Sequence, residues 1–131
     1  MSQKHSSNHA IVFALEGELG AGKTTFVQKF AKACGITEPV LSPTFVILKK
    51  YGNLIHIDAY RITGKDLLAF GIEEIFKNPK NIVMIEWADR VRDILPKDRI
   101  TIKFDHVDAN TRKIQITSTK TQTITNESNS K

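Results

Sequence analysis

At 131 residues, 40% hydrophobic and 25% charged, the chain is long enough for one domain with a real core but not for two. No apolar run approaches membrane-spanning length, and the polar opening, residues 1–8, lacks the hydrophobic stretch of a secretion signal. The net charge of +5 permits association with nucleic acid. The basic residues are scattered, however, with Lys49-Lys50 the densest pair, and no aromatic–basic interleaving marks a single-strand platform. A single cysteine, Cys34, excludes an internal disulfide and fits a reducing compartment, so a cytoplasmic protein without a membrane segment is expected.

Residues 1–9 form a polar lead-in, expected to be mobile. Ile11-Val12-Phe13-Ala14-Leu15 is a short apolar run that reads as a buried strand. It runs into Gly17-Glu18-Leu19-Gly20-Ala21-Gly22-Lys23-Thr24, which fits G-x-x-x-x-G-K-[ST], the phosphate-binding loop. After it, Phe26, Val27, Phe30, Ala31 and Cys34 fall at helical spacing, and Gly35 stands where a helix would stop. Strand, glycine loop and helix make up the context in which this pattern is a site. A triphosphate concentrates negative charge and must be met by many donors at once. Gly17, Gly20 and Gly22 lack a Cβ, so the backbone can fold into a nest of N–H groups, and the helix N-terminus adds its dipole. Nucleotide contacts are expected over Leu19, Gly20, Ala21, Gly22, Lys23, Thr24 and Thr25. In this reading Lys23 meets the β and γ oxygens, and the Thr24 hydroxyl is the expected Mg²⁺ ligand.

Beyond Pro39, Ser42-Pro43-Thr44 opens a β-type run over residues 41–48. Gly52-Asn53 then reads as a hairpin turn into Leu54-Ile55-His56-Ile57-Asp58. Residues 63–77 carry a helical pattern that Gly71 divides into two short pieces. Ile82-Val83-Met84-Ile85 is the continuous apolar run of a central parallel strand covered on both faces. Residues 88–95 predict a short helix stopped by Pro96. Alternation at Ile100, Ile102 and Phe104, and at Ile114 and Ile116, predicts a closing hairpin across residues 105–111. Residues 118–131 are too polar to order themselves. The expected fold is α/β, a phosphate-loop NTPase-like, mostly parallel sheet with an antiparallel edge hairpin, in a single domain over residues 10–117.

A phosphate loop needs a partner acid to hold Mg²⁺ or the attacking water, and such acids end neighbouring strands. Glu86 and Asp58 both qualify; at each position the competing reading is an acid that caps a turn. Thr44, after Pro43, resembles a switch threonine. His56 shares a strand face with Asp58 by period two, although one histidine on a β-run is more often packed or exposed than a ligand. The four histidines and one cysteine show no metal-ligand spacing. Trp87 is read either as a cover for the site, as a partner contact or as a core residue. No Asn-Lys-x-Asp string for guanine occurs, which favours ATP over GTP.

The phosphate loop continuing into Thr25-Phe26, Ser42-Pro43-Thr44-Phe45, His56-Ile57-Asp58-Ala59-Tyr60-Arg61 and Glu86-Trp87 together resemble the TsaE (YjeE) family. The likeness runs over residues 10–117. It implies a cytoplasmic P-loop ATPase, slow by itself, that works with the partner proteins TsaD and TsaB. Those partners place threonylcarbamoyl on the adenosine beside the anticodon of ANN-decoding tRNAs, and ATP hydrolysis resets their complex. Contact with tRNA is expected to be indirect. By motif, Lys23 and Thr24 would hold phosphate and Mg²⁺. Glu86 would be the Walker-B-like acid and second metal residue. Asp58 and Thr44 would belong to the hydrolysis machinery, and Thr111-Arg112 would lie near the nucleotide. Family members open with an extra helix, whose threonine approaches the nucleotide. Only residues 1–9 precede the first strand here, so this contact is expected to be absent and nucleotide affinity lower or partner-dependent. A non-catalytic ATP-gated binding module and a small-molecule kinase are the alternative readings of the same loop.

Overall fold

The protein is described by a computed structural model over residues 8–17, 22–40, 47–108 and 111–118. Its strands are β1 (Ile11–Gly17), β2 (Leu48–Tyr51), β3 (Leu54–Asp58), β4 (Ile82–Glu86), β5 (Ile100–Asp108) and β6 (Thr111–Ser118). They form one sheet in the order β2-β3-β4-β1-β5-β6. The four inner strands, β3, β4, β1 and β5, are parallel, and β2 and β6 close the two edges antiparallel to their neighbours. The helices are α1 (Lys23–Ala33), α2 (Gly64–Ala69) and α3 (Ile72–Lys77), followed by a 3-10 segment, Ala88–Ile94. None of these helices is long and apolar enough to cross a membrane.

Period-two alternation in the inner strands divides the core between two faces. Val12, Ala14, Ile55, Ile57, Val83 and Ile85 face α2, α3 and the 3-10 segment through Leu67, Ile72, Phe76 and Val91. Leu15, Leu54, Met84, Ile102 and Phe104 face α1 through Val27 and Ala31. The run Ile82–Ile85 is therefore covered on both sides, as its unbroken hydrophobicity requires. The chain leaves β1 towards the β3 edge and returns through β4 to β5, across β1. This reversal makes the C-terminal ends of β1 and β4 a topological switch point, the crevice position at which open α/β sheets bind ligands.

Local signals set most of the boundaries. Gly35, at φ 88°, follows the end of α1, and Gly71, at φ 82°, separates α2 from α3. Thr63 starts α2 with a reciprocal capping box: its hydroxyl accepts from the Asp66 N–H at 3.2 Å, and the Asp66 carboxylate accepts from the Thr63 N–H at 2.9 Å.

Four details differ from the sequence reading. The segment after Trp87 is 3-10 with a kink at Val91, because no side chain caps its start and its first turn follows a left-handed residue. β2 contains Lys49 and Lys50, both exposed, because an edge strand has a solvent side that accepts charge. The polar residues 105–108 extend β5 instead of forming a loop, since a ladder of backbone hydrogen bonds does not require buried side chains. Cys34 is exposed at the end of α1 rather than packed inward. On β6, Ile114 and Ile116 pair with the buried Phe104 and Ile102 but are themselves 50% and 67% exposed. His9 is half-buried and bonds Asp98 at 3.1 Å. The remaining lead-in, residues 1–7, and the tail beyond Ser118 lie outside the described residues.

Candidate nucleotide site

β1 delivers the chain to the crevice and α1 carries it away. Gly22 takes φ 102° at the N-cap of α1, and no acidic residue occupies the first turn, so the positive end of the helix dipole lies at this end of the sheet. Lys23 and Thr24 are the first two helical residues. Glu86 ends β4, on the strand adjoining β1, and its alternation with Ile85 turns it to the α1 side.

These placements bring Thr24 and Glu86 together. The Thr24 hydroxyl lies 3.0 Å from Glu86 Oε1 and 2.8 Å from Oε2 and donates to the carboxylate. His56, on β3, donates from Nε2 to Glu86 Oε2 at 2.7 Å. Glu86 is only 4% exposed. Burying a carboxylate is costly, and donors from two other elements offset that cost here. A hydroxyl beside a carboxylate is a hard-oxygen pair suited to Mg²⁺, which keeps several waters and takes further oxygens from phosphate. Among the described residues, no group of three or more His, Cys, Asp or Glu could form a protein-only metal cage.

A second cluster borders the first. Lys23 is 4% exposed; its Nζ donates to the Gly17 carbonyl at 2.7 Å and lies 4.1 Å from the centre of the Trp87 ring. Trp87 packs against Tyr60 with ring centroids 4.8 Å apart and planes tilted by 52°, and the Arg90 guanidinium lies 4.8 Å over Tyr60. Trp87 holds φ 60° and ψ 39°, and no other non-glycine among the described residues has positive φ. An aromatic residue in that region costs about 1–2 kcal/mol, which the packing of the indole against Lys23 and Tyr60 must offset.

The other predicted residues fall as follows. Asp58 pairs in register with Glu86, but its carboxylate accepts from the Tyr60 N–H at 3.0 Å and so turns towards the loop after β3. Thr25 is exposed on α1. Thr111 and Arg112 begin β6 beyond Phe104, at the same end of the sheet as Gly17, and their side chains lie outside the described part. Leu19, Gly20, Ala21 and Thr44 also lie outside the described residues, whereas Gly22 is described. His56 is packed in the core, as its strand position suggested, but bonds Glu86, and Arg90 joins the aromatic pair without having been singled out in the sequence. The period-two spacing of His56 and Asp58 was a usable signal for the first; nothing local marked the second.

The profile of the family described as "Threonylcarbamoyl adenosine biosynthesis protein TsaE" matches residues 1–114. The chain is 40% identical over 112 residues to the tRNA threonylcarbamoyladenosine biosynthesis protein TsaE of Bacillus subtilis (strain 168), covering 81% of this chain and 68% of that protein. It is 40% identical over 111 residues to the protein of the same name from Aquifex aeolicus (strain VF5), covering 80% and 75%. The crystal structure of Bacillus subtilis YdiB superposes with a TM-score of 0.70 at 33% identity, covering 87% of this chain and 72% of that one.

Proposed function

The chain belongs to the TsaE family of threonylcarbamoyladenosine biosynthesis proteins, and from that premise we propose that it is a Mg²⁺-dependent ATPase serving the tRNA modification. In this reading it is a cytoplasmic subunit that acts on the complex of TsaD and TsaB, and hydrolysis resets that complex for another turnover. One observation carries the proposal. The hydroxyl at the start of α1 and the carboxylate at the end of β4 meet at 2.8–3.0 Å beside a phosphate-loop lysine.

The roles follow from position. The γ-phosphate of ATP would draw Lys23 Nζ away from the Gly17 carbonyl and neutralise it against phosphate oxygens. Thr24 and Glu86 would hold Mg²⁺, which when bound would supply neutralisation of phosphate charge. Glu86 or Asp58 would orient the attacking water, with positioning and electrostatics rather than covalent chemistry lowering the barrier.

The test is ATP binding and phosphate release by the purified chain, alone and with the two partner proteins. Trp87 is the only tryptophan, so its fluorescence should change when ATP draws the Lys23 ammonium from its face. The Lys23→Ala variant should bind ATP about 10- to 100-fold more weakly, the value of one or two charge-assisted bonds. Binding without hydrolysis in either setting would indicate a gated binding module. Transfer of phosphate to a metabolite in preference to water would indicate a kinase.

A further inference from the structure

His56 is fully buried, at 0% exposure, in the strand next to the one that carries Glu86. Its neighbours along the strand, Ile55 and Ile57, are ordinary core residues. The imidazole instead buries two nitrogens. Nε2 donates to Glu86 Oε2 at 2.7 Å, while Nδ1 meets no hydrogen-bond partner among the described residues. Among the described residues, the only hydrogen bond that compensates the burial of this ring is therefore the one to Glu86. The ring is oriented for the carboxylate, not for its own satisfaction.

The same bond divides the labour of the two carboxylate oxygens. Oε2 accepts from both His56 and Thr24, whereas Oε1 accepts from Thr24 alone among the described residues. The terminal torsion of a glutamate is broad and roughly two-fold, so one donor sliding between both oxygens would fix it poorly. A second donor bound to one oxygen pins it.

We infer that His56 is a positioning residue for divalent-cation binding: its Nε2–H anchors Glu86 Oε2 and so presents Oε1, beside the Thr24 hydroxyl, to the cation that accompanies ATP. The inference rests on the reading of Glu86 as the metal-linked acid. Outer-shell donors of this kind set ligand orientation, and their loss typically costs 10–100-fold in metal affinity. His56 touches neither nucleotide nor water in this role; it acts through Glu86.

The experiment compares wild type, His56→Leu and His56→Gln for ATP binding by calorimetry, with and without Mg²⁺, with folding checked by circular dichroism. His56→Leu keeps the volume and removes the donor, whereas the amide of His56→Gln can reach the place of Nε2. His56→Leu should require about tenfold or more Mg²⁺ for half-maximal enhancement of ATP binding, while metal-free ATP affinity changes far less. His56→Gln should recover most of the loss. In a Glu86→Gln background, His56→Leu should add little further effect. Should His56→Leu fail to fold, His56→Asn replaces it, because its shorter amide reaches only the Nδ1 position and should show the same Mg²⁺ defect relative to His56→Gln. Wild-type Mg²⁺ dependence in a folded His56→Leu variant overturns the inference, as does an equal loss with and without metal, or a His56→Gln variant no better than the variant lacking the donor. Wild-type protein that binds no ATP, or binds it without regard to Mg²⁺, overturns the nucleotide-and-metal reading itself and the inference with it.

Discussion

Replacing Glu86 with glutamine is expected to lower ATP turnover by about 10²–10⁴-fold, the usual contribution of a positioned acid–base group, while ATP still binds. The substitution is nearly isosteric and retains an acceptor for Thr24 and His56, so the network at the end of β4 stays filled. What it removes is the negative charge that a divalent cation and an activated water both require. Alanine would be a poorer probe, since it leaves the buried His56 Nε2–H and the Thr24 hydroxyl without the carboxylate they share, and desolvation of orphaned donors costs about 1–3 kcal/mol each. Steady-state phosphate release and calorimetric ATP binding, measured on the same preparations, check the prediction. Equal hydrolysis by wild type and Glu86→Gln would remove Glu86 from the mechanism.

The second large effect is structural and lies at the first glycine of the phosphate loop. Gly17→Ala should destabilise the protein by about 3 kcal/mol or more, combining strain at a positive φ with overpacking. At φ 138°, a Cβ on Gly17 would be driven into the carbonyl oxygen of Phe104, on the paired strand β5. The obstacle is backbone, which cannot swing aside as a side-chain tip would, so β1 and β5 would have to part where the loop begins. Gly52→Ala is the control: its φ is 64°, but nothing lies within 4 Å of the added Cβ, and only about 1–2 kcal/mol of backbone strain is expected. In a domain of this size a kilocalorie is worth about 4 °C in midpoint. The two variants should therefore separate clearly in a thermal melt, with Gly17→Ala more than about 10 °C below wild type. Similar midpoints for both would show that the β1–β5 contact yields easily. The first glycine of the motif thus answers to strand packing, a requirement the motif alone does not reveal.

Much of the fold was legible because its signals are short-range. The apolar runs at Ile11–Leu15 and Ile82–Ile85, the capping threonine at 63 and the glycines at 35 and 71 each act within one or two turns of chain, where the residues themselves carry the relevant periodicity and torsional preference. The phosphate-loop pattern belongs to the same class, since glycine content and a following helix can be read in a continuous string. Boundaries were missed where local chemistry was ambiguous. Polar residues 105–108 could serve a loop or an exposed ladder, and only pairing with β6 made them strand.

The sequence by itself determined that β1, a glycine loop and α1 would follow one another, and that Glu86 and Asp58 would stand at strand ends. The strand-end pattern by itself left both acids eligible to meet Thr24, and the family resemblance assigned Glu86 to the metal together with Thr24. Both end parallel strands, and both lie in register with each other. The strand order places β4, not β3, directly beside β1, so Glu86 reaches the start of α1 while Asp58 bonds back to its own loop. The bond from Thr24 to Glu86 joins residues 62 positions apart, and that from His56 to Glu86 spans 30. Neither separation has a period that a helix or strand could impose. Those contacts depend on the register of three strands, and register is set by burying both sheet faces at once, a property of the assembled core and not of any segment of it.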